Sequence, residues 1–304
     1  MKTFRYIGNG SDKIHELIAQ KGCFEVTTTS RTTKIKTANI NYLFAHTHYY
    51  GRIFGLLSQL KKMLNDNEQK ILDAPFSGKP ENVKYFMFSE SQQNFKVDAG
   101  TIYDIPNIVE ADISMAYYRT AYNLGFITKE FYERCKTLDK KDRLVLIGSI
   151  ATVKCNEVYN NGLKISSEIN KNELHRMAWF KICSYVDSVL ITIKERLDKI
   201  NPDIFLFYWV DGVYFRDFKM KGYSWQTLFK EISEIYPFDW KYKRVERMRV
   251  LNYGESLKIQ LQKQGENKTF FYPKRDMKLY YLDKDGKPVD IDGAEILQSD
   301  KIKF

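Results

Sequence analysis

Two acidic residues, Asp112 and Asp211, stand at positions where the chain is expected to leave a strand. Asp112 closes a short strand-like run over residues 109–113, and Asp211 precedes a glycine between two apolar, aromatic-rich runs over residues 204–215. An Asp-Gly pair in that setting predicts a β-hairpin with the acid at its tip. Carboxylates on a strand end and on a neighbouring hairpin are able to hold divalent ions, and Mg²⁺ keeps enough water that two or three carboxylates suffice. The predicted cofactor is therefore Mg²⁺ or Mn²⁺.

Divalent ions held in this way suit nucleotidyl transfer. The attacking oxygen, the transferred phosphate and the leaving pyrophosphate all develop charge, and two metal ions neutralise it together. Each acid also has a simpler explanation. Asp-Gly is most often only a turn, and an Asp two residues before Ser114 is able to form an Asx-turn or cap a helix. A second metal candidate, His46 with His48, has no Cys or carboxylate at ligand spacing and is better explained by packing or exposure.

The charge balance favours a polyanionic partner. The net charge is +10 and the isoelectric point is about 9.1, which makes nucleic acid the leading candidate. A basic cluster with an interleaved tyrosine lies on a predicted strand, where it would contact a nucleic-acid backbone. The alternative is a solvated edge strand that its charges protect from pairing. The cluster consists of Lys241, Lys243, Arg244, Arg247 and Arg249.

Hydrophobic periodicity predicts the elements that must position these residues. A long helix over about 171–200 has its apolar residues at a 3.6-residue period and ends before Pro202. Alternating residues predict strands near both acids and in the C-terminal part of the chain. Further helices are predicted over 11–21, 50–64 and 225–235, with two short ones within 128–146. Further strands are predicted over 24–37 and 256–282, and turns at 265–268 and 283–286.

Residues 112–118, DISMAYY, resemble the first palm motif of family B DNA polymerases, D-x-x-S-L-Y-P. In this resemblance Asp112 falls on the metal-binding Asp of the family. Tyr117 falls on the tyrosine that packs under the sugar of the incoming nucleotide and excludes a 2′-hydroxyl. The resemblance therefore implies a nucleotide beside a metal-bound Asp112.

Residues 208–214, YWVDGVY, resemble the third motif of the same family, Y-x-D-T-D-S, with one extra residue before the acid. Asp211 matches the first Asp, and Val213 stands where the family has its second, metal-binding Asp. The resemblance thus implies a weakened metal site, which Val213→Asp is expected to improve. Glu110 shares a strand face with Asp112, so it is the nearest acid able to substitute.

The second motif, K-x-x-x-N-S-x-Y-G, is matched only in part. Residues 143–151, RLVLIGSIA, keep the spacing and a cation in the lysine position but lack the Asn, Tyr and Gly. Arg143 is expected to bind the triphosphate, because a guanidinium contacts phosphate oxygens in a fork. Lys140 and Lys141 precede it and are expected to help.

The resemblance spans roughly residues 95–250 and implies an α+β fold. That fold is a polymerase-type palm with an antiparallel sheet and helices, a minimal fingers hairpin and a β-rich C-terminal region. The implied divisions are an N-terminal α+β region over 1–90, a palm over 91–250 with a short fingers insertion at about 119–146, and a thumb-like region over 251–304.

The implied function is template-directed DNA synthesis by a small protein-primed-type polymerase, or by a degenerate relative from a virus or plasmid. Its partners would be template and primer DNA, dNTP and other proteins of a replication complex. The main alternative is a catalytically inactive palm that binds nucleic acid as a replication or structural subunit. Val213 favours the inactive form, and the presence of both aspartates favours the enzyme. A third alternative is an unrelated basic α+β protein that binds nucleic acid or protein.

The apolar runs are too short for a membrane protein. The longest covers residues 204–210, and residues 1–10 contain no apolar signal core. The four cysteines form no C-x-x-C pair, which is typical of reduced thiols. We expect no membrane partner and a cytoplasmic location, in the host cell for a viral protein.

Overall fold

The computed structural model shows an α+β protein with antiparallel sheets. The residues that it describes are 2–7, 11–19, 22–28, 32–37, 40–45, 50–89, 102–152, 154–253, 256–263, 266–273, 280–282 and 288–289.

Eight α-helices occur within those ranges. In chain order they are α1 (Ser11–Ile18), α2 (Tyr50–Asp66), α3 (Glu68–Asp73), α4 (Ala116–Asn123), α5 (Lys129–Lys136), α6 (Lys140–Gly148), α7 (Glu173–Ile200) and α8 (Trp225–Ile235).

The strands of the same ranges number seventeen. In chain order they are β1 (Lys2–Ile7), β2 (Cys23–Thr28), β3 (Thr32–Lys36), β4 (Ile40–Ala45), β5 (Phe86–Phe88), β6 (Ile102–Ile113), β7 (Lys154–Asn160), β8 (Leu163–Asn170), β9 (Phe205–Trp209), β10 (Gly212–Arg216), β11 (Lys219–Met220), β12 (Tyr223–Ser224), β13 (Trp240–Asn252), β14 (Ser256–Lys263), β15 (Glu266–Pro273), β16 (Tyr280–Leu282) and β17 (Pro288–Val289).

The chain divides by its contacts into two compact units. The first contains residues 1–82 and 117–184, and the second contains residues 83–116 and 185–304. Helix α7 contributes its residues up to Ser184 to the first unit and the rest to the second. The predicted N-terminal region and part of the predicted palm therefore share one unit, because strand β2 pairs with β7, more than a hundred residues further along the chain. The predicted division into palm, fingers and thumb stays a prediction.

The first unit is built on a six-stranded sheet in the order β1-β4-β3-β2-β7-β8. Only the β1–β4 pair in this sheet is parallel. Leu17 of α1 packs with Phe24, Val26 and Ile35 of the sheet in a buried cluster. The alternation of buried and exposed residues along β2 and β3 produces this cluster, since successive side chains of a strand point to opposite faces.

The second unit is built on a nine-stranded antiparallel sheet in the order β17-β16-β15-β14-β13-β6-β10-β9-β5. One face carries an apolar cluster, which includes Ile108, Phe207 and Phe270. On the other face Phe215 stacks on Phe229 of α8, with ring centroids 5.4 Å apart. Strands β6, β10 and β13 lie side by side in the middle of this sheet, so Asp112, near the end of β6, and Asp211, in the turn before β10, lie at the ends of its central strands.

Most of the predicted elements are confirmed. The long helix is observed as α7, whose inward residues such as Ile182, Val189 and Ile193 are fully or almost fully buried. The two short helices predicted within 128–146 are α5 and α6, and the β-rich C-terminal region is observed from β13 onward. The segment predicted as a fingers hairpin contains helices. The predicted turn at 283–286 lies outside the described residues, as do His46 and His48.

Among the described helices, none combines the length and the apolar character that a membrane crossing needs. Cys135, Cys155 and Cys183 are free thiols.

Candidate functional site

The two predicted acids lie next to each other in the centre of the nine-stranded sheet. Strand β10 pairs antiparallel with β6 in a register that puts Gly212 opposite Asp112. The backbone carbonyl of Asp211 accepts a hydrogen bond from the N–H of Ile113, with N and O 3.0 Å apart. A strand end and a hairpin turn, 99 residues apart in sequence, thus bring the backbones of Asp112 and Asp211 close together.

The hairpin turn is shifted by one residue from the predicted Asp-Gly pair. Because Trp209 lies opposite Gly212, the two loop residues are Val210 and Asp211. Val210 has a φ of +60°, a left-handed conformation that is unfavourable for a β-branched residue. Gly212 has no positive φ, and a Cβ atom there would make only an ordinary contact, 3.4 Å from a carboxylate oxygen of Asp112. Neither the backbone conformation nor the space at this position therefore requires a glycine.

A residue of β10 is able to share a metal ion with Asp112 only if its side chain lies on the same face of the sheet. Opposed residues of antiparallel strands share a face, so Asp112 and Gly212 share one face while Val213 and Ala111 share the other. Val213 is completely buried on that second face. The expectation that Val213→Asp would supply the missing metal ligand is therefore wrong in its geometry. An acid at this position would point into the core and away from Asp112.

Glu110 lies on the same face as Asp112, as predicted, but its carboxylate is already engaged. It accepts hydrogen bonds from the hydroxyl of Tyr214, at 2.7 Å, and from the ammonium of Lys263, at 2.5 Å. Burial raises the pKa of Glu110, but the two hydrogen bonds outweigh it, so that its pKa lies below the ordinary value. Glu110 is thus ionised and paired, which excludes it as the simple substitute ligand that the sequence suggested.

The pKa of the Tyr214 hydroxyl is affected by the three neighbouring acids, Glu110, Asp112 and Asp211. Burial, followed by the neighbouring carboxylate of Glu110, raises its pKa far above the ordinary value. The charges of Asp112 and Asp211 raise it further, so three acids act on one hydroxyl. Neither Tyr214 nor Lys263 was identified from the sequence. Tyr214 is the third residue of a predicted strand, and Lys263 is 153 residues from Glu110, so only the strand pairing brings them together.

Cations lie beside these acids on the same face of the sheet. The β13–β6 register puts Lys241 opposite Asp112 and Lys243 opposite Glu110, and both lysines are exposed. Cross-strand neighbours of opposite charge attract each other. A surface that combines paired carboxylates with exposed lysines is suited to a ligand that carries both metal ions and phosphates.

The three arginines of the predicted basic cluster lie near other acids, Asp217 and Asp104. Arg244 lies 3.4 Å from the carboxylate of Asp217. Arg247 and Arg249 lie 2.9 and 3.7 Å from the two carboxylate oxygens of Asp104. The five cations therefore do not form one continuous basic face, and only the two lysines border the acids.

The residues predicted to bind the nucleotide belong to the first unit. The ring of Tyr117 packs on Trp179 with centroids 5.0 Å apart. The guanidinium of Arg143 donates to the carbonyl of Leu138, at 2.8 Å, and more weakly to that of Lys136. Arg143 thus caps the end of α5.

Lys140 and Lys141 are exposed in the first turn of α6. The assignment of these two lysines, Tyr117 and Arg143 to nucleotide binding stays a prediction.

In the described part of the chain, no three His, Cys, Asp or Glu side chains are grouped so as to hold a metal ion. The candidate centre accordingly rests on the two carboxylates of Asp112 and Asp211. No protein-family model and no curated protein matches the chain.

Proposed function

We propose that the second unit is a polymerase-type palm that binds Mg²⁺ or Mn²⁺ through Asp112 and Asp211 and carries out template-directed nucleotidyl transfer. One observation supports the proposal above all others. Asp112 and Asp211, whose surroundings resemble polymerase motifs, come from segments far apart in sequence. The pairing of β6 with β10 puts Asp112 opposite Gly212, the residue that follows Asp211.

The charges around the acids agree with this chemistry. A metal ion held by two carboxylates keeps open positions for water and for phosphate oxygens of a nucleotide. Lys241 and Lys243 border the same face and would attract the phosphates. Because the proposed site relies on two carboxylates, we expect weak binding and a preference for Mn²⁺, since Mn²⁺ generally binds a given site more tightly than Mg²⁺.

Primer extension tests the proposal. The full chain would be incubated with a primed DNA template, dNTP and either Mg²⁺ or Mn²⁺. We expect extension that is stronger with Mn²⁺ and is lost in Asp112→Asn and Asp211→Asn. Asp217→Asn is the matched control, because Asp217 lies in the same unit and pairs with Arg244. Extension that survives Asp112→Asn would show that the activity does not come from this site.

A second candidate function is a palm that binds nucleic acid without catalysis. The commitment of Glu110 to Lys263 and the burial of Val213 favour it, since both deprive the site of a third ligand. This candidate predicts salt-sensitive DNA binding by the wild type without primer extension at any Mn²⁺ concentration. Asp112→Asn should then leave the affinity for DNA unchanged or slightly higher, because it removes a negative charge.

A further inference from the structure

Asp187 is a buried acid that takes no part in the candidate metal site. It lies on the part of α7 that belongs to the second unit, and it is only 5% exposed. Its carboxylate accepts a hydrogen bond from the backbone N–H of Lys84. Tyr208 of β9 is also close enough to feel its charge, and the Tyr208 hydroxyl is buried with no hydrogen-bond partner. The burial of Asp187 therefore disfavours its charged form.

The residue after Lys84 holds the turn of the acid hairpin. The carbonyl of Tyr85 accepts a hydrogen bond from the N–H of Val210 at 2.8 Å. Lys84 and Tyr85 therefore form a two-residue bridge from Asp187 to the turn that carries Asp211. The left-handed Val210 makes this bridge important, because a β-branched residue in that conformation needs support from its surroundings.

Burial dominates the ionisation of Asp187. It raises the pKa of this carboxyl from 3.8 to about 7, although the N–H and the charge of Lys84 both act to lower it. The groups that face it are Lys84 from the segment before β5 and Tyr208 from β9. On its own helix, the ammonium of Lys194 is 2.7 Å from the carboxylate of Asp198. Near neutral pH, Asp187 thus changes between a neutral and a charged form.

The sign of the effect follows from linkage. A group whose pKa is raised in the closed structure stabilises it when protonated, and this stabilisation is lost as the pH rises through the raised value. In the window between 3.8 and about 7, opening of the segment around Asp187 becomes about tenfold more frequent for each pH unit. Above this window the opening no longer changes.

We propose that Asp187, Lys84 and Tyr85 form a pH-sensitive latch on the hairpin turn that carries Asp211. The latch is closed while Asp187 is neutral and its carbonyl oxygen accepts the Lys84 N–H. Ionisation of Asp187 favours its exposure to water, which loosens the Lys84–Tyr85 bridge and with it the support of Val210. The latch follows from the hydrogen bonds and burial alone and does not depend on the proposed nucleotidyl transfer.

Hydrogen exchange on the full chain, read by mass spectrometry at several pH values, tests the latch. After correction for intrinsic exchange, peptides covering 83–89 and 205–216 should lose protection about tenfold per pH unit from 5.5 to 7 and then level off. A peptide from α8 (225–235) should not follow this trend. Asp187→Asn imitates the neutral acid, so protection at pH 8 should exceed that of the wild type and should not depend on pH.

Glu195→Gln provides the matched control, since Glu195 is an exposed acid on the same helix. It should behave as the wild type does. Wild-type protection that is constant from pH 5.5 to 8 would overturn the proposal, and this result needs no variant. The same pH dependence in Asp187→Asn as in the wild type would also overturn it, by assigning the effect to another group.

Discussion

The buried ion pair beside the candidate site offers a sharp test of the structure. Lys263 and Glu110 have side chains that are 5% and 7% exposed, and their charged atoms are in contact. Lys263→Met preserves most of the length of the side chain but removes its charge. Glu110 then keeps the hydroxyl of Tyr214 as a hydrogen-bond donor, but its charge has lost its cationic partner. We expect this single change to destabilise the second unit strongly.

Breaking a buried ion pair on one side costs about 3–5 kcal/mol, because a buried charge remains without its counter-ion. The double variant Lys263→Met with Glu110→Gln removes both charges, and Tyr214 retains an amide oxygen to donate to. The double variant should therefore be more stable than Lys263→Met alone, whereas independent effects would make it less stable. The exposed pair of Lys136 with Glu133 is the matched control, since its side chains are 41% and 50% exposed. Lys136→Met should cost less than about 1 kcal/mol.

The pH dependence gives a second signature of the same pair. In the wild type the lowered pKa of Glu110 contributes stability above its ordinary value of 4.5, and this contribution is lost as the pH falls through the lowered value. Without Lys263 the balance reverses, because burial then raises the pKa of Glu110. Lys263→Met should therefore become more stable as the pH falls from 8 toward 5.

Guanidinium unfolding followed by tryptophan fluorescence covers both the variants and the control, since Trp209, Trp225 and Trp240 belong to the second unit and Trp179 belongs to the first. A Lys263→Met variant no less stable than Lys136→Met would refute the buried pair. The buried pair would also be refuted if the double variant lost as much free energy of unfolding as Lys263→Met and Glu110→Gln lose in total.

Two further predictions follow from the faces of the central strands. Val213→Asp should destabilise the protein by several kcal/mol, because it puts an unpaired charge at a fully buried position, and it should not increase Mn²⁺-dependent primer extension. Unfolding and primer-extension assays on one preparation check both results. Increased extension would contradict the placement of Val213 on the face opposite to that of Asp112. Lys241→Ala with Lys243→Ala should reduce the slope of log affinity for DNA against log salt by about 2, at roughly 0.9 per phosphate contact. The double variant Arg247→Ala with Arg249→Ala should change that slope less, because both arginines lie near the negative charge of Asp104. An equal or larger change would show that the arginines, and not the lysines, contact the nucleic acid.

Elements with a strong local pattern could be predicted from the sequence. Helix α7 has apolar residues at regular spacing and ends before Pro202, and the hairpin of β9 and β10 lies between two apolar runs. By contrast, the hairpin of β7 and β8 gave no signal. Every residue of β8 except the last is exposed, so no burial period exists for a sequence pattern to reveal. Its place in the first sheet depends on pairing with β2, which is set by tertiary structure.

The candidate site was predictable only in part for the same reason. Asp112 and Asp211 could be identified because each stands at a predicted strand end. The shift of the turn to Val210 could not, since β-branched residues rarely adopt a left-handed conformation and Asp-Gly normally forms the turn. Lys263 was missed because only the register of β13 and β14 brings it to Glu110. Asp187 was missed because its burial is apparent only once β9 is packed against it.

Binding of Mn²⁺ tests most directly whether Asp112 and Asp211 form a metal site. Mn²⁺ would be titrated into the full chain in the presence of a dNTP, and the free ion would be measured by electron paramagnetic resonance. The proposal predicts binding by the wild type and by Asp217→Asn, with at least a tenfold weaker affinity in both Asp112→Asn and Asp211→Asn. Equal Mn²⁺ affinity in all four proteins, or no binding by the wild type, would contradict it.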